Sequence, residues 1–106
     1  MKYALYQTSN QNLKVELMMA FNDGKIANLA DYGMVGGLYN HVANIEANDL
    51  DEVFDIGNIG PECNIERLGR MHSVSVGDVI VAEDGTMAVV ANMGFVAFGH
   101  NIKLAA

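Results

Sequence analysis

Val79-Ile80-Val81-Ala82-Glu83-Asp84-Gly85-Thr86-Met87-Ala88-Val89-Val90 is the stretch that decides the fold class. Two apolar, valine-rich runs flank Asp84-Gly85. That dipeptide favours a two-residue type I′ turn, because both central residues need positive φ. Such a turn fixes the pairing register and predicts a C-terminal hairpin over 79–83/86–90. In that register Val81 faces Ala88, Ile80 faces Val89 and Val79 faces Val90. One side then carries Ile80, Ala82, Met87 and Val89, and the other Val79, Val81, Ala88 and Val90. Both sides are apolar, whereas a surface hairpin is polar on one. The hairpin therefore needs cover on both faces, from the rest of the chain, from closure into a small barrel, or from a second subunit. A homo-oligomer assembled through residues 79–90 is one arrangement that meets this need.

Working outward, Lys2 to Gln7 alternates and reads as a first strand, and Leu38 to Glu46 as a second. In the second, Tyr39, His41, Ala43 and Ile45 share one side, with Val42 an exception on the other. Leu13 to Phe21 fits a helix that Asn12 caps, stopped by a turn at Asn22-Asp23-Gly24-Lys25. Asp23-Gly24 also suits a strand–turn–strand reading, so residues 13–37 stay open between helix and hairpin. Asp49 to Ile56 is a clearer helix. Asp49 is its N-cap, Glu52 stands where a capping box places a carboxylate, and Gly57-Asn58 is its stop. Leu50, Val53 and Phe54 form its buried stripe. The fold class that results is α+β: an antiparallel sheet of about four strands with one or two short helices packed on it.

The 106 residues suit a single small domain, 1–106. Hydrophobic residues make up 51%, which argues against disorder. No apolar run reaches membrane-spanning length. Met1 to Gln7 has one basic residue and no long apolar stretch, unlike a signal peptide. A lone cysteine, Cys63, excludes an internal disulfide framework and fits a reducing cytoplasm. The net charge of −7 argues against direct nucleic-acid binding, which needs clustered Lys and Arg.

Several of these segments carry a resemblance. Ser73-Val74-Ser75-Val76-Gly77-Asp78-Val79, the apolar hairpin after it, and Gly94-Phe95 follow one another in order. Upstream stand Leu50-Asp51-Glu52-Val53-Phe54 and, near the start, Tyr6-Gln7. In these features the chain resembles the YodL-like domain family, small proteins of phages, plasmids and other mobile elements, most clearly over residues 39–98. Gly77 departs from the small polar residue usual there, so no side-chain role transfers to that position. The resemblance implies an accessory protein working in a bacterial host cytoplasm. An anti-defence role follows by association only.

The residues that bear chemistry have everyday structural uses. His41, His72 and His100 lack the spacing of a helical zinc site, and Cys63 has no second thiol beside it. Cys63 and His72 would have to lie within hydrogen-bond reach to act as a nucleophilic pair. His72, Ser73 and Ser75 form a possible ligand-contacting rung, since an extended backbone puts both hydroxyls on one face. Hydroxyls at the start of a strand more often bond local backbone. Gly77-Asp78 reads as a turn that Asp78 closes with its side chain. Gly33-Met34-Val35-Gly36-Gly37 lacks the Lys-Ser/Thr of a phosphate loop, and residues 48–55 lack the glycine and terminal glutamate of a calcium loop. No catalytic, metal or cofactor group is expected.

Charge is distributed more tellingly. No Lys or Arg occurs between Lys25 and Arg67, while Asp49, Asp51, Glu52 and Asp55 sit together on the short helix. Such a face attracts a basic surface and raises its on-rate. Together with the resemblance, which implies a non-enzymatic phage or mobile-element accessory protein, this face leads to the expectation that the chain binds a host or phage protein, one with a basic surface, through those four acids. Two alternatives remain: a small-molecule or enzymatic domain with a pocket near His72, Ser73 and Ser75, and a self-assembling structural protein.

Overall fold

The computed structural model describes residues 1–99; His100 lies outside them. The elements run β1 (Lys2–Thr8), α1 (Gln11–Met18), α2 (Asp23–Val35), β2 (Tyr39–Glu46), α3 (Leu50–Ile59), β3 (Ile65–Arg67), β4 (Val79–Val81), β5 (Met87–Val90) and β6 (Phe95–Phe98). All strands join one antiparallel sheet in the order β3-β2-β1-β4-β5-β6. The α+β class stands: the described residues form six strands where about four were expected and three α-helices where one or two were. β3 is three residues inside an apparent loop, and Phe95-Val96-Ala97-Phe98 carries no polar alternation to announce β6. Among the described residues no helix is long and apolar enough to cross a membrane.

The segment left open by sequence is two helices. Asn10 caps α1 by accepting from the Leu13 N–H at 2.9 Å, and Asn22 caps α2 by accepting from the Lys25 N–H at 3.0 Å. Asn22-Asp23-Gly24-Lys25 therefore starts a helix rather than closing a turn. α2 ends at Gly36 and Gly37, where Leu38 N–H returns to Gly33 O at 2.8 Å and Gly37 N–H to Met34 O at 3.3 Å. Gly37, at φ +72°, supplies the left-handed residue that this closure requires.

The hairpin forms, but not in the expected register. Its loop has three residues, Glu83-Asp84-Gly85. Gly85 N–H donates to Ala82 O and Ala82 N–H to Thr86 O, both at 2.9 Å, with Gly85 at φ +89°. This is a turn followed by a left-handed glycine, the usual three-residue solution. Asp84 Oδ1 secures it by accepting from the Thr86 N–H at 2.9 Å. The pairing is consequently Val79↔Val89, Ile80↔Ala88 and Val81↔Met87, one residue away from the expected one. The strands proper are Val79–Val81 and Met87–Val90, shorter than 79–83/86–90.

Both hairpin faces are covered within the chain. Ile80 and Val90 join Tyr3, Leu5, Ile45 and the α3 residues Val53 and Ile56 in one core cluster. Val79 and Val89 join Tyr39 and the α1–α2 residues Leu13, Leu17, Ile26 and Ala30 in another. Neighbouring strand residues point to opposite faces, so α3 lies on one side of the sheet and α1–α2 on the other. Val42 explains its own exceptional place. Leu5 pairs with Ala43 and Tyr6 with His41, leaving Val42 as the extra residue of a β-bulge. The bulge splits the expected face. Ala43 and Ile45 belong to the α3 side, whereas Tyr39 packs with α1–α2.

Candidate functional site

The rung at His72, Ser73 and Ser75 is held by a residue far away in sequence. Gln7 stands on the same side of β1 as Tyr3 and Leu5, is buried, and faces the backbone of His72. Its amide donates to His72 O and to Asp78 Oδ2, both at 2.9 Å, and its carbonyl accepts from the His72 N–H at 3.1 Å. Asp78 is 4% exposed. Its Oδ2 also accepts from the Ser75 N–H at 3.0 Å, and its own N–H donates to Ser75 O at 3.1 Å. The predicted turn closed by Asp78 is therefore present. Burial pushes the Asp78 carboxyl up to about 6, against the opposing pull of the Ser75 and Gln7 hydrogen bonds and, more weakly, of His72 and Lys14. Gly77 adopts φ +94°, and a Cβ there would lie 3.0 Å from the Leu17 side chain. Tyr39 donates to Gly77 O at 2.6 Å; burial, and then the nearby Asp78, raise its phenol above the ordinary range.

This arrangement does not assemble the three rung residues into one site. Residues 72–76 form no strand. His72 and Ser73 border an open cleft of about 390 Å³, beside Glu62 and Arg67. Ser75 does not line it; its amide is used by Asp78. His72 Nδ1 is 2.8 Å from Ser73 O. Arg67 is spent on a bidentate pair with Glu62, Nε to Oε2 at 2.6 Å and Nη2 to Oε1 at 3.1 Å. Cys63 is exposed and borders a different cleft, with Lys2, Asn44 and Glu66, so it does not pair with His72. Among the described residues no three His, Cys, Asp or Glu side chains converge on a metal position.

The second group of candidates, on α3, is arranged differently. Asp49 caps the helix, accepting from the Glu52 N–H at 2.9 Å, and Glu52 Oε1 accepts from the Asn48 N–H at 2.7 Å. These two acids thus secure the helix start, a close variant of the capping box. Asp51 and Asp55 are exposed one turn apart. The expected stop at Gly57-Asn58 is not one: α3 continues to Ile59 and ends at Gly60, φ +107°. Gly57 serves packing instead. A Cβ there would come within 2.3 Å of Val74 Cγ2, so only glycine lets α3 lie this close to the 71–78 run. The buried stripe also differs from expectation. Val53 and Ile56 are buried and Leu50 partly so, while Phe54 is 38% exposed. Helix α3 is seated through positions 53, 56 and 57, which turns Phe54 to the rim.

The result is an acidic ridge between two clefts. On one side Glu46, Asn48, Glu52 and Asp55 border a polar cleft of about 460 Å³. On the other, Asp51, Phe54 and Asp55 face Val90, Ala91 and Phe95 across a cleft of about 380 Å³. Asp55 borders both, and among the described residues no basic side chain lines either. Sequence reasoning named Gln7 only in the Tyr6-Gln7 resemblance and placed Phe54 in the buried stripe, so it missed the clamp and the exposed ring. A polar residue continuing the inward rung of Tyr3 and Leu5 was the available signal for Gln7; nothing local marked Phe54. Compared with models of protein families, with curated proteins and with solved structures, the chain matches none.

Proposed function

We propose that the chain is a non-enzymatic accessory protein of a phage or mobile element that acts in the bacterial cytoplasm by binding a basic surface of another protein. Inhibition of a host defence protein is the form of this activity that the YodL-like resemblance suggests. The observation that carries the reading is the exposure of Asp51 and Asp55 on a ridge whose flanking clefts hold no basic side chain among the described residues. Two like charges one turn apart repel by a few tenths of a kcal/mol, a cost that a cationic partner removes. Of the four acids named from sequence, Asp49 and Glu52 have a structural use, so Asp51 and Asp55 carry the contact. The ridge is favoured over the cleft at His72 and Ser73, because the guanidinium there is already paired with Glu62.

Immobilised protein exposed to bacterial lysate tests the reading. It predicts a stoichiometric protein partner retained at low salt and released as ionic strength rises, since the Debye length falls from about 30 Å at 0.01 M to about 10 Å at 0.1 M. Recovery of no partner at low salt contradicts it.

A further inference from the structure

The apolar cleft beside the ridge has a composition that specifies more than charge. It is lined by the buried Val90 and Ala91, by Phe54 and Phe95, by Asn92 and Gly94 of the β5–β6 turn, and by the exposed Asp51 and Asp55. Phe54 lies on an amphipathic helix yet remains 38% exposed. An aromatic ring on a partly covered apolar surface, edged by charge, is the arrangement that seats an anchor residue of a partner. Asp51 and Asp55 complement cations on either side of that anchor.

We infer that the cleft between α3 and the β5–β6 turn binds a peptide segment of a partner protein, one with an aliphatic or aromatic anchor flanked by Lys or Arg. Phe54 supplies the apolar contact, and Asp51 and Asp55 supply the charge contact. The inference rests on the acidic-ridge reading and adds the anchor to it.

Three short synthetic peptides separate the two ideas: one leucine flanked by lysines, the same peptide with glycine for leucine, and the first with glutamates for lysines. Titrated into the wild-type protein, the leucine–lysine peptide is expected to bind and to move the amide resonances of residues 51–55 and 90–95. The glycine peptide and the Phe54→Ala variant should each bind about tenfold more weakly, the size of a lost anchor. The glutamate peptide should not bind. Resonance mapping on the wild-type protein keeps the test independent of how well the variant folds. If the two lysine peptides bind alike, or the shifts fall elsewhere, the anchor site is wrong while the acidic ridge survives. If neither lysine peptide binds, the acidic-ridge reading fails with it.

Discussion

The 71–78 run and helix α3 pack against each other through Val74 and Gly57, yet they use the same chemical group in opposite ways. Asp78 is buried and tied to Gln7 and Ser75. Asp51 and Asp55 stand in water. A carboxylate removed from solvent costs free energy unless donors surround it, so Asp78 acts on the fold. A carboxylate left in solvent costs the fold little, here the few tenths of a kcal/mol of mutual repulsion, and projects charge outward, which is the role proposed for Asp51 and Asp55. The run richest in chemically suggestive residues is therefore tied into the fold, and the plain acidic helix is the surface for which partner binding is proposed.

The sharpest way to break this contrast is at Gln7. Replacing it by leucine keeps the bulk but strips the partners from the His72 backbone and from a buried carboxylate. Loss of about 2 kcal/mol or more is expected, because His72 loses both backbone partners and the buried carboxylate keeps only the Ser75 N–H as donor. Chemical denaturation measures it; a loss under 1 kcal/mol would mean that the clamp is dispensable.

Asp78 itself should write a pH signature on stability. In the fold it holds its proton to about pH 6, whereas the free side chain releases near 3.8. Between those values the folded state binds more protons than the unfolded one, so stability falls as pH rises through the window. The expected loss is on the order of 3 kcal/mol. Asp78→Asn keeps the acceptor for Ser75 and Gln7 but cannot titrate. Stability curves of the two proteins should converge toward pH 4 and separate toward pH 6; parallel curves would exclude Asp78 as the source.

At the helix start, Asp49→Ala should cost about 1 kcal/mol, the usual worth of an N-cap. The same substitution should leave partner capture nearly intact, since Asp49 serves the helix.

The parts of this contrast that sequence could show were the local ones. Asp49 and Glu52 bond amides within four residues of themselves, so the start of α3 was readable. Its end was not, because Gly57 looks like a stop until Val74 is brought against it. The hairpin at Asp84-Gly85 was readable as a turn. Its register depended on whether Gly85 occupies the second or third loop place, and neighbouring residues do not decide that. Val42 registered as an exception to alternation, and only the pairing with β1 reveals a bulge. Gln7 was silent because its partners lie 65 and 71 positions away. For the proposed binding surface, the acidic face was visible in the charge pattern. The division of its four acids into two that cap and two that face solvent required the helix geometry.

That division is the central claim, and the double variant Asp51→Asn/Asp55→Asn tests it most directly, with stability and low-salt partner capture measured on the same preparation. Exposed substitutions of this kind change stability by no more than about 0.5 kcal/mol. The account predicts an unchanged denaturation midpoint together with loss of capture. Capture at the wild-type level by this folded double variant would contradict it.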